Sequence, residues 1–286
     1  MQILIADKFE PSGLDALRAA GCDVLYEPDL KEDTLPPRIA ASGARVLVVR
    51  STKVNAAALA AGSLALVVRA GAGYNTIDVA TASLRGIYVS NCPGKNAIAV
   101  AELTLGLILA VDRRIADNVI DLRAGRWNKK EYSKARGLAG RTIGLLGYGN
   151  IGQEVARRAQ AFGMTVLVWS RRFANGSEAP PDDIEVVSSP EELARRADIL
   201  SIHLALAPKT RQFVGETILS QLRPGSYVIN TARAEVVDTQ ALAKAVAERG
   251  LRLGLDVFDG EPAATTGEFA TPLASLPAVY GTHHIG

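Results

Sequence analysis

Three polar side chains in the second half of the chain, Arg233, Glu261 and His284, have the types that acid–base chemistry on a small carboxylic acid requires. A guanidinium can hold a carboxylate and polarise the neighbouring carbonyl group, and an imidazole can protonate the alkoxide that a hydride creates. A carboxylate that accepts a hydrogen bond from the imidazole fixes its tautomer and favours its protonated form. We therefore predict that these three residues catalyse a hydride transfer. Taken singly, each is better explained as a surface or terminal side chain, so the prediction depends on all three converging.

A glycine-rich turn provides the second indication of hydride chemistry. Residues Gly147 to Gly152 read G-x-G-x-x-G, and they lie between an apolar run and an amphipathic helical pattern. In this context Gly147 permits a tight turn, Gly149 lets the backbone approach a pyrophosphate, and Gly152 allows close helix packing. The N-terminus of the helix attracts the anion. We predict that a dinucleotide binds here, with contacts that include Asn150 and Ile151.

The end of the next apolar run indicates which dinucleotide is used. A carboxylate about 20 residues beyond the turn usually accepts hydrogen bonds from the adenine ribose hydroxyls. Here the run ends in Ser170, Arg171 and Arg172, with no acid among them. A hydroxyl and two guanidinium groups suit a ribose 2′-phosphate, which an acid would repel. We predict NADP(H) as the favoured cofactor and NAD(H) as the alternative, while a solvated basic loop would explain the same residues.

Short apolar runs alternate with helical patterns along the chain, which indicates βαβ units. Because the runs are continuous, we expect strands covered on both faces, as in parallel sheets. In the first half the predicted strands are Ile3–Ala6, Val24–Tyr26, Val46–Val49, Leu66–Val68 and Ile87–Val89. In the second half they are Ile143–Leu146, Val166–Trp169, Ile199–His203, Tyr227–Asn230, Leu253–Val257 and Val279–Tyr280. We predict an α/β protein with two doubly wound parallel-sheet domains, a flavodoxin-like substrate domain and a Rossmann nucleotide-binding domain.

The predicted domain boundary lies between the two sets of strands. The turn Cys92-Pro93-Gly94 separates them, and a long apolar helical pattern from about Ala97 to Arg114 follows it. We therefore predict a substrate-binding domain over residues 1–92 and a dinucleotide-binding domain over residues 93–286.

The composition limits the classes of function. The 48% hydrophobic residues suit a globular α/β core, and 32 basic against 30 acidic side chains create no field that favours nucleic acid or an anionic membrane. The most apolar stretch is too short to span a bilayer, and the first residues resemble a strand rather than a signal peptide. Two distant cysteines indicate neither a disulfide framework nor a metal site. We predict a cytoplasmic protein whose partner is a small molecule, without metal, nucleic acid or membrane.

Taken together, these segments resemble the D-isomer-specific 2-hydroxyacid dehydrogenases over almost the whole chain. The resemblance rests on the nucleotide loop, on the arginine motif Ile229–Arg233, and on the acid motif Leu255–Phe258 followed by Glu261-Pro262. It implies that Arg233 binds substrate, that Glu261 orients the histidine, and that His284 is the acid–base group. It also implies that Asp256 holds the nicotinamide amide.

Further cofactor contacts are expected just beyond the ends of two later predicted strands, Ile199–His203 and Tyr227–Asn230. The additional residues assigned to the cofactor site are Leu204, Pro208, Thr210, Thr231 and Ala232.

Within that family, the N-terminal half most resembles the D-3-phosphoglycerate dehydrogenases, in the segments Val49–Val54 and Val68–Gly73. The resemblance implies that the arginines of these segments lie near a distal phosphate, and that backbone N–H groups of the second segment receive the substrate carboxylate. Ordinary charges at a sheet edge would explain the arginines equally well. The resemblance also implies a homodimer that forms through the long helix near residues 97–114. In that dimer the arginine near the end of the helix reaches the site of the neighbouring subunit. The predicted substrate-binding residues are Arg50, Arg69, Ala72, Gly73 and Arg113.

Three functions stay open at this point. A phosphoglycerate dehydrogenase-like enzyme comes first, and an NADPH-dependent hydroxypyruvate or glyoxylate reductase is the alternative enzyme because of the basic strand end. A catalytically weak dinucleotide-sensing protein, similar to the C-terminal binding protein corepressors, is the alternative from another class. This sequence differs from the family pattern at two positions: Ala234 stands where the family has Gly, and His283 stands where the family has Pro. The family pattern also continues past the position of residue 286 with a helix that returns to the first domain.

Overall fold

The structure, a computed structural model, describes residues 1–262 and 266–286, and the chain divides into two units. The units are Met1–Asn96 and Ala97–Gly286. The observed division lies four residues after the predicted boundary between residues 92 and 93. The turn at the boundary remains with the first unit because the Cys92 backbone N–H donates to the Gly71 carbonyl, at 3.0 Å.

The first unit is a parallel sheet covered by helices. Its strands are β1 (Gln2–Ile5), β2 (Asp23–Tyr26), β3 (Val46–Val49), β4 (Leu66–Arg69) and β5 (Tyr88–Ser90), and its helices are α1 (Pro11–Ala19), α2 (Leu35–Ser42), α3 (Ala56–Ala60) and α4 (Val79–Leu84). The strand order β2-β1-β3-β4-β5 is that of flavodoxin-like sheets. Alternate residues enter two cores: Ile3 and Val46 pack on one face, and Leu4 and Leu47 pack on the other. Both faces are therefore buried, as the continuous apolar runs predict.

The second unit is a larger parallel sheet. Its helices are α5 (Ala97–Arg113), α6 (Ile115–Arg123), α7 (Lys129–Tyr132), α8 (Asn150–Ala161), α9 (Arg171–Ala174), α10 (Pro190–Arg196), α11 (Glu216–Leu219) and α12 (Thr239–Arg249), with a 3-10 turn at Ala234–Val236. Its strands are β6 (Thr142–Leu146), β7 (Thr165–Trp169), β8 (Glu185–Val186), β9 (Ile199–Ile202), β10 (Tyr227–Asn230), β11 (Arg252–Leu255) and β12 (Val279–Gly281). Among the described residues their order is β12-β11-β10-β9-β6-β7-β8.

That order is the doubly wound arrangement of dinucleotide-binding sheets, extended by one strand at the edge. The prediction of two parallel-sheet α/β domains is therefore confirmed. The prediction of six strands in this unit was wrong, because β8 was missed. It pairs with β7 only at Glu185 and Val186, and two residues are too few to show a strand period.

Helix α5 packs closely on the second sheet. Its residues Leu105, Ile108 and Val111 recur at helical spacing and are buried in the core. A side-chain carbon on Gly254, in β11, would lie 3.0 Å from the Leu107 Cβ, so the glycine lets helix and strand approach each other. The helix ends one residue before the predicted position because Arg114 has a left-handed φ of 52°. No helix in the described part of the chain is both long and apolar enough to cross a membrane.

Candidate active site

The glycine turn after β6 has the geometry that an anion site requires. Gly147 has a φ of 106°, and a side-chain carbon there would lie 2.6 Å from the His203 carbonyl oxygen. A side-chain carbon on Gly152, in the first turn of α8, would lie 2.5 Å from the Gly147 carbonyl oxygen, so only a glycine fits at this position. A carbon on Gly149, by contrast, would have nothing within 4 Å among the described residues.

Open space above Gly149 is therefore the place where another molecule can approach the backbone. Gly149 precedes the first residue of α8 and offers no capping side chain. The first N–H groups of α8, including those of the predicted contacts Asn150 and Ile151, are thus available to an anion, which the helix dipole also attracts. The loop fits a pyrophosphate.

Of the two arginines that follow β7, one is held in place by contacts that the sequence does not indicate. Ser170 is buried, and Arg171 is exposed. The guanidinium of Arg172 donates from Nη2 to the Tyr148 carbonyl oxygen at 2.7 Å, and its Nη1 lies 2.5 Å from Oε2 of Glu178. Arg172 is therefore already paired with an acid, whereas Arg171 forms no ion pair among the described residues.

The segment after β9 is fixed by its own side chains. The His203 Nε2 lies 2.9 Å from the Ser201 hydroxyl, and burial lowers the pKa of this imidazole to about 4. The hydroxyl of Thr210 donates to the Ala205 carbonyl and accepts from the Ala207 N–H, both at 2.7 Å. Leu204, which packs on the core, and exposed Pro208 belong to the same segment. The structure shows how this segment is held, and its contacts with a cofactor stay a prediction.

The segment after β10 carries Arg233 on a closed backbone turn. The Asn230 side chain donates to the Arg233 carbonyl and accepts from the Ala232 N–H, each at 3.0 Å. The Thr231 hydroxyl is buried and lies 2.9 Å from that of Thr104 in α5. Sequence reasoning missed Asn230 and Thr104 as positioning residues, although Asn230 lies inside the arginine motif. Arg233 is partly buried, with Nη1 donating to the Ala232 carbonyl at 2.6 Å.

The predicted contact between acid and imidazole is present. The Nδ1 atom of His284 lies 2.5 Å from Oε1 of Glu261. Both side chains are more than a third exposed, so the pair is open to a ligand. His284 has a left-handed φ of 53°, a conformation that non-glycine residues rarely adopt and that clusters at functional sites. With a hydrogen on Nδ1 directed to the carboxylate, Nε2 is the ring atom left for proton exchange.

Asp256 holds the segment that carries the histidine. Its buried carboxylate accepts from the Thr282 hydroxyl at 2.6 Å, from the Ile285 N–H at 2.9 Å and from the Gly286 N–H at 3.0 Å. These bonds flank His284 on both sides. The structure therefore gives Asp256 a positioning role, and its predicted contact with a nicotinamide amide stays a prediction.

The topology brings the three catalytic candidates to one edge of the sheet. Arg233 follows β10, Glu261 follows β11 a few residues after Asp256, and His284 follows β12; these three strands are parallel neighbours. Adjacent strands lie about 4.8 Å apart, so these segments leave the sheet side by side. Within the described residues Arg233 forms no hydrogen bond with His284 or Glu261, and the gathering of all three around one substrate stays a prediction.

In the first unit the predicted substrate residues lie after β3 and β4. The Asp7 carboxylate holds the loop of exposed Arg50, since it accepts from the N–H groups of Arg50 at 2.6 Å and of Ser51 and Thr52 at 3.0 Å. The Arg69 side chain folds over the next turn. Its Nη1 occupies the space that a side-chain carbon on Gly71 would need, since the two atoms would lie 1.4 Å apart.

Two further substrate candidates belong to that turn, and one to α5. Ala72 and Gly73 are partly buried, and the Ala72 carbonyl accepts from the Asn91 amide at 2.6 Å. Arg113 is exposed at the end of α5, with Nε 3.4 Å from the Asp112 carboxylate. No group of three or more potential metal ligands occurs in the described residues.

Comparisons with known proteins agree in one family. The family model for "D-isomer specific 2-hydroxyacid dehydrogenase, NAD binding domain" matches residues 105–286. Hydroxypyruvate reductase of Thermotoga maritima is 41% identical over 244 residues, which cover 84% of this chain and 77% of the relative. D-3-phosphoglycerate dehydrogenase of Methanocaldococcus jannaschii is 36% identical over 289 residues, which cover 100% of this chain and 53% of the relative. A solved acyclic imino acid reductase, in complex with NADPH and D-Arg, is similar with a TM-score of 0.85 at 28% identity, covering 99% of this chain and 89% of that chain.

The relatives differ in length and in substrate. This chain spans about half of the phosphoglycerate dehydrogenase that it matches, and more of the hydroxypyruvate reductase. Similar degrees of identity thus accompany different substrate names, and the likeness identifies a reaction class rather than a substrate.

Proposed function

This chain belongs to the D-isomer specific 2-hydroxyacid dehydrogenase family, and from that premise we propose that it transfers a hydride between NAD(P)(H) and a small D-2-hydroxy or 2-keto acid. The observation that carries the proposal is the contact between His284 and Glu261, on the sheet edge that Arg233 also follows. An orientated imidazole and a guanidinium, each following a parallel strand of the same sheet, are the two groups that a 2-keto acid requires.

The glycine turn fits the cofactor that such a reaction needs. Gly147 and Gly152 permit the tight turn, and Gly149 leaves room for a diphosphate against the N-terminus of α8. When bound, the nicotinamide ring supplies or accepts the hydride. The chain's own residues provide binding, orientation and the proton.

The proton belongs to His284. In the direction of reduction, Nε2 donates its proton to the oxygen of the former keto group, while Nδ1–H remains bonded to the Glu261 carboxylate. The negative charge of Glu261 stabilises the imidazolium from which that proton leaves. Arg233 binds the substrate carboxylate through paired N–H donors and draws charge from the carbonyl. Oxidation of the hydroxy acid uses the same groups in reverse, with Nε2 accepting the hydroxyl proton.

The substrate is proposed to be phosphoglycerate-like, with a hydroxypyruvate or glyoxylate reductase as the alternative. Arg50 and Arg69 support the first, since two guanidinium groups at strand ends suit a distal phosphate, and Ala72 and Gly73 offer backbone N–H groups for a carboxylate. The hydroxypyruvate reductase relative supports the second. Arg50→Ala separates the two, because it should weaken a phosphorylated substrate much more than glyoxylate.

We propose NADP(H) as the favoured cofactor, with NAD(H) also used. Exposed Arg171, next to the buried Ser170, supports a 2′-phosphate at the end of β7, and one structurally similar reductase is in complex with NADPH. Arg172 supports it less directly, because its guanidinium is paired with Glu178.

We propose a homodimer that forms through the long helix near residues 97–114, with the following helix, α6, contributing to the contact. The proposal is supported by a group of exposed apolar side chains. Monomeric proteins rarely expose such groups, and they often mark surfaces that contact another protein. The group consists of Ile115, Val119, Ile120, Leu122 and Trp127. In the proposed dimer Arg113 reaches the neighbouring site. Sedimentation of Ile120→Asp against the unmodified protein tests this, and a wild-type monomer would contradict it.

Turnover by the purified protein tests the proposed function. NADH and NADPH are each combined with phosphohydroxypyruvate, hydroxypyruvate and glyoxylate, and loss of absorbance at 340 nm is followed. We expect turnover of at least one acid, reduced about 10²- to 10⁴-fold by His284→Asn. If dinucleotide binds but no acid is reduced, the alternative of a dinucleotide-sensing protein is supported instead.

A further inference from the structure

The loop after α9 is folded back onto the first turn of that helix, just beyond the end of β7. The Ser177 N–H and the Glu178 N–H both donate to the Arg172 carbonyl, at 3.0 and 3.3 Å. The Ser177 hydroxyl donates to the same carbonyl at 3.1 Å, and the Asn175 side chain accepts from the Ser177 N–H at 3.1 Å. These bonds fix the backbone from which Glu178 extends.

This fold places a carboxylate beside the glycine turn. One guanidinium, that of Arg172, contacts the Tyr148 carbonyl in the turn at 2.7 Å and the Glu178 carboxylate at 2.5 Å. Because the nitrogens of one guanidinium are close neighbours, the carboxylate lies within roughly 8 Å of that carbonyl. Arg172 thus links the glycine turn to the Glu178 carboxylate, just beyond the end of β7. In this type of sheet the glycine turn and the end of the second strand border the adenine ribose.

We propose that Glu178 supplies, from the loop after α9, the acid that the end of β7 lacks, and that it thereby limits the affinity for NADP(H) and keeps NAD(H) usable. Two effects contribute. The carboxylate repels a 2′-phosphate, and it occupies the guanidinium that would otherwise bind that phosphate. With a ribose 2′-hydroxyl in place of the phosphate, the same carboxylate is an acceptor for the hydroxyl hydrogen.

The proposal rests on the proposed function, because it assumes a dinucleotide on the glycine turn. A role in folding alone predicts something different. The pair is exposed by more than two fifths on each side, and ion pairs of that exposure contribute little to stability. Removing the Glu178 charge should therefore change cofactor choice while leaving the melting temperature nearly unchanged.

The test compares dissociation constants of NADH and NADPH, measured by calorimetry, for the unmodified protein and for Glu178→Gln. We expect the ratio Kd(NADH)/Kd(NADPH) to rise about tenfold, equivalent to about 1.4 kcal/mol, and the rise to shrink as salt is increased. Glu178→Ala should act in the same direction. Glu216→Gln is the matched control, since it removes an equally simple exposed ion pair, that with Lys244, at a site away from the turn.

Arg172 provides the decisive second variant. In the Glu178→Gln background, Arg172→Gln should abolish most of the gain in NADPH affinity, because the released guanidinium is the group that gains the phosphate. A ratio in Glu178→Gln that equals the ratio in Glu216→Gln overturns the proposal, provided that both dinucleotides bind. If the unmodified protein binds neither dinucleotide, the proposed function itself fails, and that result is distinct.

Discussion

His203 should make the second unit sensitive to acid over a defined pH range. Its imidazole follows β9 behind the glycine turn, with Nε2 bonded to the Ser201 hydroxyl at 2.9 Å. Its Nδ1 is out of contact with solvent and has no hydrogen-bond partner among the described residues. Desolvation therefore disfavours the charged form and lowers the pKa from 6.5 to about 4.

The direction of the pH effect follows from that lowered pKa. Below pH 6.5 the unfolded chain takes up a proton at His203 that the folded chain does not, so acid favours unfolding. The contribution to stability is complete above pH 6.5 and is lost as the pH falls toward about 4. The difference between the two pKa values corresponds to about 3 kcal/mol in the free energy of unfolding.

Denaturation in urea between pH 4 and pH 8 measures this contribution. Tryptophan fluorescence is the suitable signal, because the two tryptophans, Trp127 and Trp169, both lie in the second unit. His203→Gln cannot titrate but retains a nitrogen donor for Ser201. We expect its free energy of unfolding to fall by about 3 kcal/mol less than that of the unmodified protein between pH 7 and pH 4.

His283→Gln is the control, since His283 is an exposed histidine in the same unit. It should follow the unmodified protein at every pH. If His203→Gln and the unmodified protein lose stability in parallel, burial does not depress the ionisation of His203 and the reasoning is refuted. A changed urea slope would show instead that the variant altered the unfolded state, so equal slopes are required for the comparison.

Further predictions concern the turn and the catalytic pair. Gly149→Ala should keep the melting temperature but weaken dinucleotide binding at least about tenfold, because its new carbon meets only the ligand; unchanged affinity would contradict the anion site. Gly152→Ala should lower the melting temperature as well, since its carbon lies 2.5 Å from a carbonyl oxygen. Glu261→Gln should lower kcat about tenfold or more with KM little changed, and an equal kcat would remove its role. Asp256→Asn should lower both the melting temperature and kcat, because an amide nitrogen would then face an N–H group beside His284; a purely structural role would lower the melting temperature alone.

The strands could be predicted because continuous runs of apolar residues indicate burial on both faces of a sheet. β3 reads Val-Leu-Val-Val and is buried at every position, so a continuous apolar run was enough. Strand ends differ from the predicted ones by one or two residues, as at Leu255, where β11 stops before the buried Asp256. β8 could not be predicted, since its strand identity comes from pairing with β7 at the sheet edge rather than from its own two residues.

The candidate site was predictable in part. Residue type and strand position located Glu261 and His284, and their contact is present. The pairing of Arg172 with Glu178 was not visible, because it depends on a loop that doubles back by hydrogen bonds to a backbone carbonyl. Such bonds leave no periodic signal in the sequence. The consequence is chemical, because one of two adjacent exposed arginines, Arg172, is paired with an acid, whereas Arg171 forms no ion pair among the described residues.

In each unit a strand-end carboxylate holds a segment that carries predicted site residues. Asp7 follows β1 and binds the backbone after β3, and Asp256 follows β11 and binds the backbone after β12; in both cases the two strands are neighbours. A carboxylate with several N–H donors fixes a loop that no sheet or helix bonds can hold, because the loop lies beyond the strand ends. A sequence shows that an acid follows a strand, but the choice of loop depends on which strand lies beside it. Loop position in this fold is therefore a property of strand order, and a strand-end acid is best assigned first to the loop of its neighbour and only then to a ligand.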